Sequence, residues 1–159
     1  MITQERLKEL LHYDPNTGIF TRLKSLSPRA MRGSTAGTTQ KGRIIICIDN
    51  KRYKAHRLVW FYVYGKWPTG PIDHRNGIDN DNRLGNLRDV SQTINNQNQR
   101  IAQKNNLSGF LGVTKFNKRW RASICIDNKM YHLGMFNSPE LAHEAYLKKK
   151  QACHLGCTI

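Results

Sequence analysis

Residues 72–98 read IDHRNGIDNDNRLGNLRDVSQTINNQN, and this stretch decides how the surrounding chain is read. An apolar residue leads into Asp73-His74, a turn rich in Gly and Asn follows, and the stretch closes on Asn residues at helix-like spacing. That order predicts a strand, a loop and a helix carrying one small polar site. A carboxylate, an imidazole and a distant amide oxygen suit one hard divalent cation beside a general base, because Mg2+ takes oxygen ligands and keeps several of its waters. Such a site suits phosphodiester hydrolysis. Taken singly, each residue has a commoner role: a surface Asp-His pair, an Asn that forms a turn, a helix Asn that faces solvent. Their order and spacing, 12 positions from His74 to Asn86 and 21 from His74 to Asn95, are what make the set specific.

Asp73-His74, the segment DNRLGNL from Asp81 to Leu87, and Asn95 with Asn98 resemble the His-Asn-His (HNH) endonucleases, particularly the homing type of phages and introns. The resemblance implies a ββα-metal (His-Me finger) site with His74 as general base, Asn86 as the loop-fixing residue, and Asp73 and Asn95 as metal ligands. Asn96 is the register alternative to Asn95. Asn in place of His at the last position implies Mg2+, or Mn2+, over Zn2+, because an amide oxygen is a hard ligand. The resemblance spans about residues 13–100, including the His56-Arg57-Leu58 segment, where His56 reads as a structural hydrogen-bonding residue. Arg75, Arg83 and Arg88 are candidate phosphate clamps or solvated surface, and Asn98 is a candidate DNA contact or a support behind the metal ligands.

The charge agrees with a polyanionic partner. The 159 residues hold 26 Lys and Arg against 11 Asp and Glu, a net +15. Up to Arg100 the count is 17 against 8, and after it 9 against 3, so both halves are basic. Each Lys or Arg brought to a phosphate releases condensed counterions, so a basic field along the whole chain favours nucleic acid. No apolar run approaches the roughly 20 residues of a membrane span, and the opening MITQERLKELL is amphipathic rather than signal-like, so a cytoplasmic protein is expected. Cys47, Cys125, Cys153 and Cys157 form no Cys-x-x-Cys pair, and neither structural zinc nor disulfides are expected.

Along the chain, Thr3 to His12 reads as a short capped helix and Ile19 to Leu23 as a strand, while 24–41 reads as loop. Arg43 to Ile48 and Lys51 to Ala55 form a hairpin around Asp49-Asn50, and His56 to Tyr64 a buried helix ending at Gly65. ICIDNKRY at 46–53 and ICIDNKMY at 124–131 nearly repeat, but their continuations differ. They read as two hairpins with the same turn chemistry, not as a duplication. After 98, strands are expected over 110–116, 119–126 and 129–136. A helix capped by Ser138, with Pro at its first position, should run to about Ala152.

GFLGV at 109–113, WRA at 120–122, HLGMF at 132–136 and SPELAHEAY at 138–146 resemble the DNA-binding domain of plant ethylene-response factors of the Apetala type. The likeness covers about residues 108–156. It implies a three-stranded sheet laid in the DNA major groove, with a helix behind it. Plant members carry several groove-facing Arg where Leu111, Thr114 and Phe116 stand here, so their sequence preference does not transfer. Lys115, Lys118, Arg119, Trp120, Arg121 and Lys129 are the expected groove contacts, Trp120 having an alternative role in the core.

The expected fold is therefore α+β: an HNH nuclease domain over 1–98, a linker over 99–107, and a small antiparallel sheet on one helix over 108–159. The expected activity is metal-dependent endonucleolytic cleavage of double-stranded DNA to 3'-hydroxyl and 5'-phosphate ends, by a monomer that nicks and has no obligate protein partner. The alternative is a non-catalytic DNA-binding transcriptional regulator with a vestigial nuclease half. RNA fits the charge but not a groove-reading sheet, because the A-form major groove is too narrow.

Overall fold

Thr3 accepts a hydrogen bond from the Arg6 amide and so starts α1, Gln4–Leu10, in a computed structural model that describes residues 2–154, 157 and 158. The Leu155-Gly156 end of the plant-type likeness, and Ile159, lie outside the described residues. Two compact units make up the chain, Met1–Gln92 and Thr93–Ile159.

In the first unit α1 is shorter than its apolar spacing predicts, because Leu11–Asp14 is a strand, β1. Leu11 and Tyr13 are buried while His12 between them is exposed, an alternation only a strand supplies. β1 pairs antiparallel with β2, Ile19–Arg22. A three-stranded sheet follows, formed by β3 (Thr38–Gln40), β4 (Arg43–Ile48) and β5 (Lys51–Lys54) in that order. β3 is absent from the sequence reading because all three of its residues are exposed and leave no hydrophobic period. Asp49 and Asn50 join β4 to β5 at φ of 47° and 60°, as a two-residue turn with both φ positive requires.

The helix α2, Ala55–Tyr64, ends at Gly65 in the left-handed conformation. At ten residues it would be marginal alone in water. Burial of Ala55, Leu58, Val59 and Phe61 holds it, at roughly 1.5–3 kcal/mol for each fully buried large apolar side chain. The core around it takes Leu7 and Leu10 from α1, Tyr13 and Phe20 from the first hairpin, Ile46 and Ile48 from β4, and Ile72 and Leu87. The last two belong to an antiparallel pair of short strands, β6 (Ile72–His74) and β7 (Leu87–Asp89). A single 3-10 turn, Leu84–Asn86, enters β7. α3, Gln92–Gln97, spans the division between the units.

The second unit is an antiparallel sheet in the order β10-β9-β8: β8 is Val113–Phe116, β9 Arg119–Ile126 and β10 Lys129–Phe136. Asp127 and Asn128 turn the chain at φ of 50° and 62°, repeating the turn between β4 and β5 as the echoed sequence predicts. α4, Pro139–Cys153, is capped by the Ser138 hydroxyl and packs on the sheet, with Ala142 against Val113 and Ala122. Gly112 stands where a Cβ would lie 2.0 Å from the Tyr146 ring, so only glycine lets strand and helix approach this closely.

Candidate active site

All three residues of β6 are buried, and two of them, Asp73 and His74, carry polar side chains. Ile72 anchors the strand in the core, and Arg57 on α2 ties down the chain before it by donating to the Gly70 carbonyl at 3.0 Å and the Pro68 carbonyl at 3.3 Å. The Asp89 carboxylate accepts from the Thr69 and Gly70 amides at 2.8 Å each. The chain entering β6 is thus fixed from α2 and from β7 before its polar side chains are considered.

The connection from Arg75 to Asn86 is held from within. Asn86, 9% exposed, donates from Nδ2 to the Asp81 carbonyl at 2.8 Å and accepts from the Asn76 amide at Oδ1, 3.0 Å away. One side chain therefore closes the loop from both ends. Asn76 in turn donates to the Asp81 carboxylate at 2.6 Å and accepts from the Ile78 amide at 2.9 Å. Hydrogen bonds from Arg83 hold the Asp81 carboxyl down at about 2, although desolvation pushes the other way.

His74 sits where three segments meet. Its Nε2 lies 3.3 Å from Oδ1 of Asn82, a side chain only 1% exposed. Its ring meets the edge of His56, the second residue of α2, at a centroid distance of 5.2 Å and an interplanar angle of 87°. Burial drives the His56 imidazole down to about 3, and the neighbouring His74, Arg43, Lys54 and Arg57 push in the same direction. His56 is therefore neutral across the physiological range. On β7, Arg88 faces Asp73 across the ladder and donates from Nε to Oδ2 at 2.7 Å, with side chains 17% and 7% exposed.

The structure thus brings Asp73, His74, Asn86 and Arg88 together in the first unit, with Asn82 and His56 added. Arg88, a candidate phosphate clamp, is the partner of Asp73. Arg83 is exposed with its guanidinium on Asp81, and Arg75 is exposed. Asn95 lies on α3 within the second unit and is half-buried. Asn98, a candidate DNA contact, is 5% exposed and accepts a hydrogen bond from the Thr158 hydroxyl, so it packs inside the second unit instead of meeting solvent.

The donor chemistry fits a hard cation. A carboxylate such as Asp73 offers about four lone-pair positions. A carboxylate and amide oxygens suit Mg2+ or Mn2+. Among the described residues no group of three or more His, Cys, Asp and Glu gathers as a metal site.

Strand alternation sorts the basic residues of the second unit. Arg119 and Arg121 on β9 share a face with Thr114 and Phe116 of β8, opposite the buried Ala122 and Ile124. Arg121 lies over the Phe116 ring at 5.8 Å, and Arg119 donates to the Met135 carbonyl at 2.9 Å. Lys115 and Trp120 pair with each other on the helix side, the ammonium 5.7 Å from the ring centroid, and Trp120 packs against the core of the unit. Lys118 and Lys129 are exposed at strand ends.

Sequence reasoning missed Asn82 as a partner of His74 and gave His56 no place beside it. The signal for Asn82 was its position in DNRLGNL, where a turn-forming role accounts for an Asn equally well. The signal for His56 was a buried helix start whose spatial neighbour lies 18 positions away. Among the described residues no helix is long and apolar enough to cross a membrane. No curated protein and no solved structure matches the chain. The model of a family of HNH endonucleases matches residues 53–97, a span from β5 to the end of α3, and this match supports a nuclease that acts on DNA.

Proposed function

We propose that the protein is a metal-dependent DNA endonuclease in which His74 is the general base. The observation that carries this reading is the buried His74 on β6, held by Asn82 and backed by a neutral His56, inside the span that matches the HNH family. Neutral imidazole removes a proton from water near physiological pH. The water oxygen forms a bond to phosphorus as the bond to the 3'-oxygen breaks in line with it, and that oxygen leaves with a proton from solvent. The ends are 3'-hydroxyl and 5'-phosphate. In the first unit Asp73 is the residue that would hold Mg2+ or Mn2+, which when bound stabilises the charge developing on the phosphate and on the leaving oxygen.

The remaining residues serve position and affinity. Asn86 keeps the 75–86 connection closed, and Arg88 holds the Asp73 carboxylate in its orientation by a charge-assisted hydrogen bond. Arg75 and Arg83 stand exposed for phosphate. In the second unit, an ethylene-response-factor-type module, the face carrying Arg119 and Arg121 contacts double-stranded DNA. Lys118 and Lys129 add phosphate contacts, whereas Lys115 and Trp120 serve the sheet. One site per chain predicts a monomer that nicks one strand. The test is nicking of supercoiled DNA of high sequence diversity with Mg2+, Mn2+ or excess EDTA, followed by DNA ligase. Nicks that need the metal and reseal directly with ligase are expected. DNA retarded in a gel but uncut with every metal would replace the nuclease with a DNA-binding regulator.

A further inference from the structure

The base proposed above needs one particular ring nitrogen to carry its lone pair, and the structure contains a device that selects it. Asn82 is 1% exposed, and its Oδ1 lies 3.3 Å from His74 Nε2. Its main chain is clamped by the first hairpin: the Tyr13 hydroxyl donates to the Asn82 carbonyl at 2.9 Å, and that hydroxyl is buried enough to be pushed up to about 12. Gly18, at φ 74° in the turn between β1 and β2, lies so close to the Asn82-Arg83 peptide that a Cβ would meet its atoms at 2.5 Å. Two contacts from one hairpin thus immobilise the residue that touches His74.

We infer that Asn82 is a positioning residue that accepts the Nε2 proton of His74, so that Nδ1 carries the lone pair, and that the β1-β2 hairpin is its buttress. The inference rests on His74 being the base. The amide could in principle stand the other way round, since its oxygen and nitrogen differ only in hydrogen bonding. In that orientation Nδ2 donates into Nε2, the ring proton moves to Nδ1, and neither nitrogen is left to take a proton from water. The orientation seen here leaves Asn82 Nδ2 buried with no hydrogen-bond partner among the described residues. A buried orphan of that kind is destabilising, which is the kind of local penalty that persists where a side chain serves a site rather than stability.

The experiment is long-range 15N-1H NMR of the histidine rings in the full chain, read beside single-turnover nicking with the protein in saturating excess over DNA and with saturating metal. Wild type is expected to show the Nε2-H tautomer at His74. Asn82→Leu, close in size but without an acceptor, should mix the tautomers and slow cleavage about 10–100-fold, the loss typical of removing an orienting partner, with DNA affinity unchanged. Asn82→Asp restores an acceptor and should restore the tautomer. Tyr13→Phe, which removes only the buttress bond, should shift both readouts in the direction of Asn82→Leu and covers the case in which that variant fails to fold. An Nδ1-H tautomer in wild type, or a wild-type tautomer and rate in Asn82→Leu, would overturn the inference. His74→Ala keeps the two failures apart: if it cuts like wild type the base itself is lost, whereas an inert His74→Ala beside a fully active Asn82→Leu removes only the role of Asn82.

Discussion

At the scale of single residues, His56 makes a pH-dependent contribution of definite sign. Its folded-state value of about 3 lies below the ordinary 6.5, so between those limits the unfolded chain binds the extra proton and stability rises with pH. The slope from this one group is up to about 1.4 kcal/mol per pH unit. Urea midpoints between pH 4 and 7 should therefore climb in wild type and flatten in His56→Phe; equal slopes would contradict the neutral buried imidazole. Asn86 makes a second case. Asn86→Ala removes two bonds that close one loop and strands the Asp81 carbonyl and the Asn76 amide, so a loss of about 1–3 kcal/mol is expected in denaturant titration. That Asp73, His74 and Asn86 stand on one strand and the loop behind it was legible in the sequence, because an apolar lead, a Gly- and Asn-rich turn and their spacing mark a strand and its turn. Asn82 and His56 were not, because their roles depend on which segments meet in space.

At the scale of elements, the hairpins were legible through their turns. Asp-Asn at 49–50 and at 127–128 takes two successive positive φ values, and few residue pairs accept that. Strands β9 and β10 lie on either side of the second turn, where its chemistry places them. β1 and β3 escaped for opposite reasons: β1 continues the apolar spacing of α1, and β3 has no buried face at all. The close approach of β8 to α4 depends on Gly112. Gly112→Ala combines a left-handed φ of 71° with a Cβ 2.0 Å from the Tyr146 ring, and should destabilise the second unit by about 1–3 kcal/mol. Near-ultraviolet circular dichroism during thermal unfolding would register it as a lower transition temperature, and an unchanged transition would mean that Tyr146 yields at little cost.

At the scale of the whole molecule, the net charge of +15 predicts DNA binding that weakens steeply with salt. Each phosphate contact adds about 0.9 to the slope of log affinity against log salt concentration. Replacing Arg119 and Arg121 together by Ala should lower that slope by roughly 2, as measured by fluorescence anisotropy over a salt series. Lys115→Ala, on the helix side of the sheet, should change it far less. Charge alone pointed to nucleic acid; the register of β8 against β9 puts Arg119 and Arg121 on the face away from the buried Ala122, the face the proposal assigns to DNA.

The central claim is that His74 removes the proton from the attacking water, and the most direct measurement is nicking of supercoiled DNA by wild type and His74→Ala with Mg2+ under conditions where both bind DNA equally. The account predicts open-circle product from wild type and a rate at least about 100-fold lower from the variant, the usual contribution of a general base, with binding unchanged. Equal nicking by the two proteins would contradict it.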